Sequence, residues 1–510
     1  MISARMPPGQ EKPRSYITVV HYGDRTPLNL KRFATEKGSQ PLNIIGSRAL
    51  LAIKCPVGRS CKPGVRFLAV VHRPSAAEGV CRLQGEIGND LRRKEHTSAM
   101  RHTIRLTTAV VFVCAILSLA AVSYGLQIVK GPYLQNVTTR GITVVWETDV
   151  NSDSRVDYGL TGQYGRSVGS GDPVVLHEIV IDDLSADALF HYRVTSEAGI
   201  EQVQSVDSTF HTAVLSGTPF TFCALGDSRG QPAVFEAVCD LVRAKHPDFV
   251  LHSGDLVSDG YNYDEWQSFF FYPARELLRQ IPMFTIPGNH ERQHNYYTYF
   301  MSNPTESSGT DWYYSFDYGN AHFCMINTND EIYGYGNDVD YYPGSPQYQW
   351  IVNDLSSTEQ EWKIVVVHTP PYSSGQHGTN PKVIAYLTPL FAQYGVDLVF
   401  SGHDHDYERT VSMRGVVYVV SGGAGAWLYP KAADNWWSVD FDSAYHYCLI
   451  AIDGRYLSMV VRDINGQVID RLRLSHSNSQ FAQEHRRQVA PQGPLHWKPS
   501  PAPRPSASTP

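Results

Sequence analysis

Cysteine is scarce in this chain, with eight in 510 residues, too few for a fold built on disulfides. Charge is thin as well: 18% of residues are charged, and the formal net charge is only -7. With 42% hydrophobic residues, the composition is that of an ordinary globular protein, which excludes collagen, wholesale disorder and a multi-span membrane protein. Aromatic residues are plentiful by contrast, with 30 tyrosines, so a well-packed core with β content is expected. A length of 510 residues exceeds one compact domain and suggests roughly three units.

The mean charge conceals a split. Residues 1 to 99 carry an excess of ten positive charges, and residues 100 to 510 an excess of 17 negative ones. The basic stretch holds Cys55, Cys61 and Cys81 among scattered Arg, Pro and Gly, and neither helical nor strand period persists in it. At Met100 the pattern changes. Arg101, His102 and Arg105 precede an uncharged run from Leu106 to Val122, closed by small residues at Ala121 and Ser123. That order is the basic, apolar and cleavage-site order of a secretory signal peptide. A single membrane anchor is the other reading, since 17 uncharged residues stand at the lower limit for a span. Segment 100-126 is therefore expected to be a signal peptide with Met100 as the initiator, and 1-99 an unstructured or over-extended leader. Cys223, Cys239, Cys324 and Cys448 remain after export, within apolar runs, and are expected to be buried thiols.

Residues 127-214 show short alternating runs, including 141-148, 154-159, 177-181 and 189-194, separated by Gly, Asn and Asp. They predict a β-sandwich of several short strands with no cluster of chemical residues. From Phe220 the rhythm becomes strand, turn, helix. Strands at 221-225, 248-251, 283-286, 363-367 and 396-400 alternate with helical stretches at 232-245, 263-279 and 381-393. This predicts an α/β region, over 217-475, whose reactive loops follow strand C-termini. Runs beyond Gly415 predict a mixed second sheet. The last segment, 476-510, is rich in proline and poor in large apolar groups, and is expected to be disordered.

Five short sequences in the α/β region carry chemistry: Gly226-Asp227-Ser228-Arg229, Gly254-Asp255-Leu256, Gly288-Asn289-His290-Glu291, Val366-Val367-His368 and Gly402-His403-Asp404-His405. Each alone is compatible with a turn or a structural histidine. Five in this order at strand ends point to a convergent set of Asp, Asn and His ligands, suited to two divalent ions with a bridging carboxylate.

On these motifs, and on the longer runs Val367-His368-Thr369-Pro370-Pro371-Tyr372 and Gly402-His403-Asp404-His405-Asp406-Tyr407-Glu408-Arg409-Thr410, the chain resembles the calcineurin-like metallophosphoesterases. It is most similar to their purple acid phosphatase branch, over about 127-475. The resemblance implies a four-layer αββα sandwich preceded by a fibronectin type III-like β-sandwich, in which Gly131-Pro132-Tyr133-Leu134-Gln135 leads. It implies that Asp255 bridges two metals, that Asn289, His368 and His403 complete one site, and that Asp227 and His405 bind the other. It further implies that His290 contacts phosphate and protonates the leaving group, and that His377 faces the substrate, although an exposed loop histidine is the plainer reading of His377.

Two positions depart from the resemblance. Ser258 stands where purple acid phosphatases place the tyrosine that binds ferric iron, and Arg229 where other metallophosphoesterases place a histidine. The first site thus loses a ligand, with Asp259 as a candidate helper. The oxygen-rich set favours hard divalent ions, Mn or Mg, with Fe and Zn also open, and a colourless protein. Arg229 would either bind phosphate oxygens or brace its loop. The expected reaction is hydrolysis of phosphate esters by metal-activated water, as a phosphomonoesterase; a phosphodiesterase or nucleotidase and a non-catalytic phosphate-binding protein are the alternatives. Tyr261, Tyr263, Trp266, Tyr333, Tyr335, Trp427 and Tyr429 are candidates to stack on a substrate ring, or simply to pack. The expected partner is a small phosphate ester, and the acidity of the exported part argues against nucleic acid.

Overall fold

The computed structural model describes residues 125-476, apart from 293-294 and 330-338, together with two short strands nearer the N-terminus. The chain divides into two units, Met1–Ala121 and Val122–Pro510. In the first, β1 (Ala49–Ala52) and β2 (Leu68–Val71) pair antiparallel. Nearly all of the expected leader, signal peptide and C-terminal tail lies outside the described residues. Among the described residues, no helix is long and apolar enough to cross a membrane.

The second unit begins with an all-β part: β3 (Ile128–Gln135), β4 (Ile142–Gly159), β5 (Arg166–Ile181), β6 (Leu189–Ala198), β7 (Glu201–Gln204) and β8 (Ser208–His211). The runs at 141-148 and 154-159 were expected to be separate strands, and here the structure differs. They form one 18-residue strand, β4, whose pairing with β5 shifts register between Glu147 and Ser154. Bulges of this kind bend a strand without ending it. The first half of β4 pairs with β3, while its second half pairs with β6. One continuous network of strands therefore wraps around Trp146, Val156, Tyr192 and Phe210.

Two larger sheets follow. The strands β9 (Phe220–Leu225), β10 (Phe249–His252) and β11 (Met283–Thr285) run parallel. Next come β12 (Tyr314–Tyr318), β13 (Ala321–Ile326), β14 (Trp362–Val367), β15 (Leu398–Ser401), β16 (Tyr407–Thr410), β17 (Val417–Ser421) and β18 (Ser438–Asp442), which form a seven-stranded sheet. Its members β13, β14, β15 and β17 are parallel neighbours. The last strands, β19 (His446–Asp453), β20 (Tyr456–Asp463) and β21 (Val468–Ser475), return to the first sheet, where β19 lies antiparallel to β9. The runs beyond Gly415 thus complete both sheets instead of building one of their own.

Alternation along the strands decides the layers, because successive side chains point to opposite faces. Phe222 and Ala224 of β9, with Ile364 and Val366 of β14, enter the core between the two sheets. There Phe222 and Phe249 meet Phe323 edge-on, with centroids 5.3 and 5.2 Å apart. Cys223 and Leu225 face outward onto α1 (Pro232–Arg243), and Val365 and Val367 face α5 (Pro346–Ser357) on the opposite side. The result is the expected αββα arrangement. All four described cysteines are buried and free.

Proline shapes the remaining helices. The stretch predicted over 263-279 forms as α2 (Tyr263–Glu265), a widened π turn (Trp266–Phe271) and α3 (Tyr272–Leu278). Pro273 stands just beyond the widened turn, where its ring would clash with a regular helical carbonyl. After α4 (Asn295–Phe300), the stretch predicted over 381-393 is split into α6 (Pro381–Tyr386) and α7 (Thr388–Gln393). Pro389, near the start of α7, has no N–H to continue the ladder.

Candidate metal centre

Five strand ends deliver the ligand-type residues to one edge of the sandwich. Asp227 follows β9 by two residues, Asp255 follows β10 by three, Asn289 follows β11 by four, His368 follows β14 directly and His403 follows β15 by two. Asp227, Asp255 and His403 all adopt the left-handed backbone, with φ of 58°, 59° and 69°. Non-glycine residues pay for that conformation, and it concentrates at sites the surrounding structure over-determines. Gly254, at φ 98°, cannot be replaced: a Cβ there would lie 2.6 Å from the Gly288 amide and 2.8 Å from His368 Nδ1.

One cluster centres on Asn289. Its Oδ1 lies 3.0 Å from His368 Nε2 and 2.9 Å from His403 Nδ1. His368 donates from Nδ1 to the Ser253 carbonyl at 2.8 Å, so in the neutral ring Nε2 carries a lone pair. Burial keeps the ring neutral by lowering its pKa. That lone pair faces Asn289 Oδ1, and it also faces Asp255 Oδ1 at 3.4 Å. The His368 lone pair and these two oxygens meet with no proton between them, which is the kind of donor set a cation satisfies. Burial likewise lowers the pKa of His403, to about 2.

A second cluster holds Asp227, Asp255 and His405, whose ligand atoms all lie within 4.8 Å of one another. His405 donates from Nδ1 to the Trp427 carbonyl at 2.6 Å, which turns Nε2 toward Asp227 Oδ1 at 3.7 Å. Burial lowers its pKa to about 4. Arg229 enters the same space: Nε donates to Asp255 Oδ2 at 3.0 Å, and Nη2 lies 3.4 Å from His405 Nε2. Burial, followed by the charge of Asp255, pushes Asp227 well above the usual carboxylate range. Burial acts on Asp255 in the same direction, but His368, His290 and Arg229 outweigh it and hold that carboxyl low. Two carboxylates crowded in a dry site are relieved by cationic charge.

The remaining predicted residues are placed as follows. His290 donates from Nδ1 to the Ser258 carbonyl at 2.7 Å, and its Nε2 lies 3.9 Å from Asp255 Oδ2. Ser258 therefore contributes its backbone to the site. His377 is exposed, yet its ring lies against His403, tilted by 31° with centroids 4.3 Å apart. Asp259, the candidate helper, is not brought in: its Oδ1 accepts from the Tyr261 amide, and its own amide donates to Glu265. Trp266 is buried in the helical layer, and Tyr333 and Tyr335 lie outside the described residues.

Sequence reasoning missed the carboxylates beneath the ligands. Buried Glu291 accepts from the amides of Asp255, Leu256, Val257 and Gly288, at 2.9, 2.7, 3.0 and 2.6 Å. It ties the Asp255 loop to the Asn289 loop, and burial pushes its pKa to about 8. Asp404 accepts from Ser373 Oγ and from the amides of His377 and Gly378, which fixes the His377 loop. Glu408 accepts from the amide and hydroxyl of Ser374. The only signal was adjacency, since each of these residues sits inside a ligand motif.

Comparison with known proteins matches residues 220–407 to the calcineurin-like phosphoesterase model. Purple acid phosphatase 18 of Arabidopsis thaliana is 30% identical over 321 residues, covering 55% of this chain and 68% of its own. The chain belongs to the purple acid phosphatase family. Acid phosphatase type 7 of Danio rerio is 27% identical over 67% of this chain and 89% of its own. Among solved structures, the purple acid phosphatase PPD1 from yellow lupin shares the fold with a TM-score of 0.61 at 21% identity, covering 68% of this chain and 74% of that one. Family membership makes the chain a metal-dependent hydrolase of phosphate esters.

Proposed function

We propose that this family member is an acid phosphatase-like phosphomonoesterase, exported from the cytoplasm, with a catalytic region over 217-475 behind a β-sandwich over 127-214. The observation that carries the site assignment is Asn289 Oδ1 facing two imidazole nitrogens, one of which is left without a proton by its bond to Ser253. In this reading Asn289, His368, His403 and Asp255 hold one divalent ion, and Asp227, His405 and Asp255 hold a second. Bound there, divalent ions supply an acidified water and positive charge for the phosphoryl group.

The chain's own residues orient and complete that chemistry. The carbonyls of Ser253 and Trp427 fix the imidazoles of His368 and His405 with Nε2 inward, as carbonyls behind metal-binding histidines do. The Ser258 carbonyl does the same for His290, so that Nε2 carries the proton for the leaving oxygen once the ring is protonated. Arg229 offers the guanidinium edge not bound to Asp255 to phosphate oxygens, and His377 closes the side next to His403. No side chain in these motifs is needed as a nucleophile.

The test is metal analysis of the mature protein paired with turnover of a phosphomonoester, a bis-ester and nucleotides. Monoester turnover with bound metal is expected, and Asp255→Asn should lose both. Turnover without bound metal, or metal without turnover of any ester, would reject the reading. With serine at 258, the loaded protein is expected to be colourless, and an intense purple band would contradict the divalent assignment.

A further inference from the structure

The segment that carries His403 and His405 alternates rings with acids: His403, Asp404, His405, Asp406, Tyr407, Glu408. All six are buried, and the three carboxylates are fully so. Rings and acids have different destinations. His403 and His405 reach the clusters around Asn289 and Asp227, and the Tyr407 hydroxyl donates to Asp470 at 2.6 Å. Two of the acids reach the loop after β14 instead. Asp404 accepts from Ser373 Oγ at 2.5 Å and from the amides of His377 and Gly378 at 2.7 and 3.0 Å. Glu408 accepts from the amide and the hydroxyl of Ser374, both at 2.6 Å.

The third acid, Asp406, has no such partner. Neither of its carboxylate oxygens is hydrogen-bonded, although both are shut off from solvent, and among the described residues no other buried carboxyl group is left in that position. Glu291 holds four amides, Glu147 pairs with Lys130, and Asp470 pairs with Arg409. The cations nearest along the chain are engaged elsewhere: Arg409 with Asp440 and Asp470, and Lys431 with Asp434. The charges of Asp404 and Glu408 both bear on Asp406. A Cβ on Gly375 would lie 2.3 Å from Asp406 Oδ2 and 2.7 Å from Asp404 Cγ. The two carboxyl groups thus border one point on the loop, and glycine keeps that point clear of a side chain. A buried carboxylate without a partner is unfavourable. Protonation does not repair it, because a carboxylic acid still has a hydroxyl donor and a carbonyl acceptor to satisfy.

We infer that Asp406 and Asp404 hold a hard divalent cation of the calcium type, separate from the dinuclear centre, with Glu408 adding charge. These side chains offer oxygen alone, which selects calcium or its like over softer ions. One cation answers both features of the cluster: it satisfies the two Asp406 oxygens together, and it offsets three carboxylates crowded away from water. Its position joins the segment that presents His403 and His405 to the loop that presents His377, so the bound ion braces one against the other.

The test adds calcium back to the chelated full chain, native and Asp255→Asn, and reads calcium per chain together with the melting temperature. Asp255→Asn breaks the dinuclear centre, so calcium bound to that variant reports the new site alone. One calcium per chain is expected in Asp255→Asn, with Tm raised by about 4 °C at saturation. Adding Asp406→Asn should abolish both the binding and the shift. Should that variant not fold, Asp404→Asn in the same background should lower calcium affinity about tenfold or more, since ligand charge sets affinity at such sites. Failure of Asp255→Asn to bind calcium overturns the proposal, as does calcium binding that is unchanged by Asp406→Asn or Asp404→Asn. No calcium response in the native chain, with Asp406→Asn at least as stable, assigns a buried proton or water to Asp406 and equally rejects the cation. None of these readouts uses turnover, so the outcome is independent of the phosphomonoesterase reading.

Discussion

The two halves of the metal centre share Asp255 and differ in almost everything else. Around Asn289, its side-chain oxygen and the imidazoles of His368 and His403, from three different loops, converge on one point, and among the described residues no Lys or Arg is hydrogen-bonded to Asn289. Around Asp227, two side chains join Asp255, and the Arg229 guanidinium lies against two of the three. One half offers a set of acceptors suited to a cation. The other contains a permanent organic cation, the Arg229 guanidinium, already bound to Asp255, and under the proposed assignment it would compete there with an incoming ion. The two halves of a dinuclear centre need not be equally committed to metal, because a guanidinium offsets carboxylate charge without taking a coordination position.

Breaking the committed half should have the largest effect. Asn289→Ala removes the oxygen on which both imidazoles converge, and turnover should fall by about a thousandfold with loss of one tightly held ion per chain. Retention of full metal content would show that Asn289 is not a ligand. Stepwise chelation compares the halves directly. One ion is expected to leave at about tenfold lower chelator than the other, and Arg229→Ala should narrow that gap; simultaneous release would make the halves equivalent.

Arg229→Ala also separates the two roles of the guanidinium. KM for phosphate esters should rise about tenfold if it binds phosphate oxygens, whereas unchanged KM with altered metal affinity would assign it to Asp255 alone. The smallest effect belongs to His377→Ala. The ring leans on His403 from an exposed loop, so a loss of a few-fold in kcat/KM with metal content intact is expected. A change in metal content would move His377 into the ligand set.

Much of this centre was legible because its chemistry is written in short runs. An apolar strand, a glycine and a ligand residue are contiguous in sequence, and the turn that follows a strand is a local decision. The buried free cysteines were legible for the same reason. What could not be read depends on partners far along the chain. The bulged continuity of β4 depends on β5, more than ten residues further on. The return of β19 to the side of β9 joins residues more than 200 positions apart. Glu291 looked like the end of a motif, and only folding sets its carboxylate beneath three successive amides of another loop.

By itself, the sequence determined which residue types stand at which strand ends, and hence that a phosphate-ester hydrolase with carboxylate, amide and imidazole groups at those ends was encoded. Pattern and propensity act over a few residues, so this much is local. The tertiary structure alone decided that Arg229 lies on Asp255 and beside His405, that Asp259 stays in its own turn, and that the Trp427 carbonyl fixes the His405 ring. Those outcomes depend on distances between loops set by the packing of two sheets, and no run of neighbouring residues contains them.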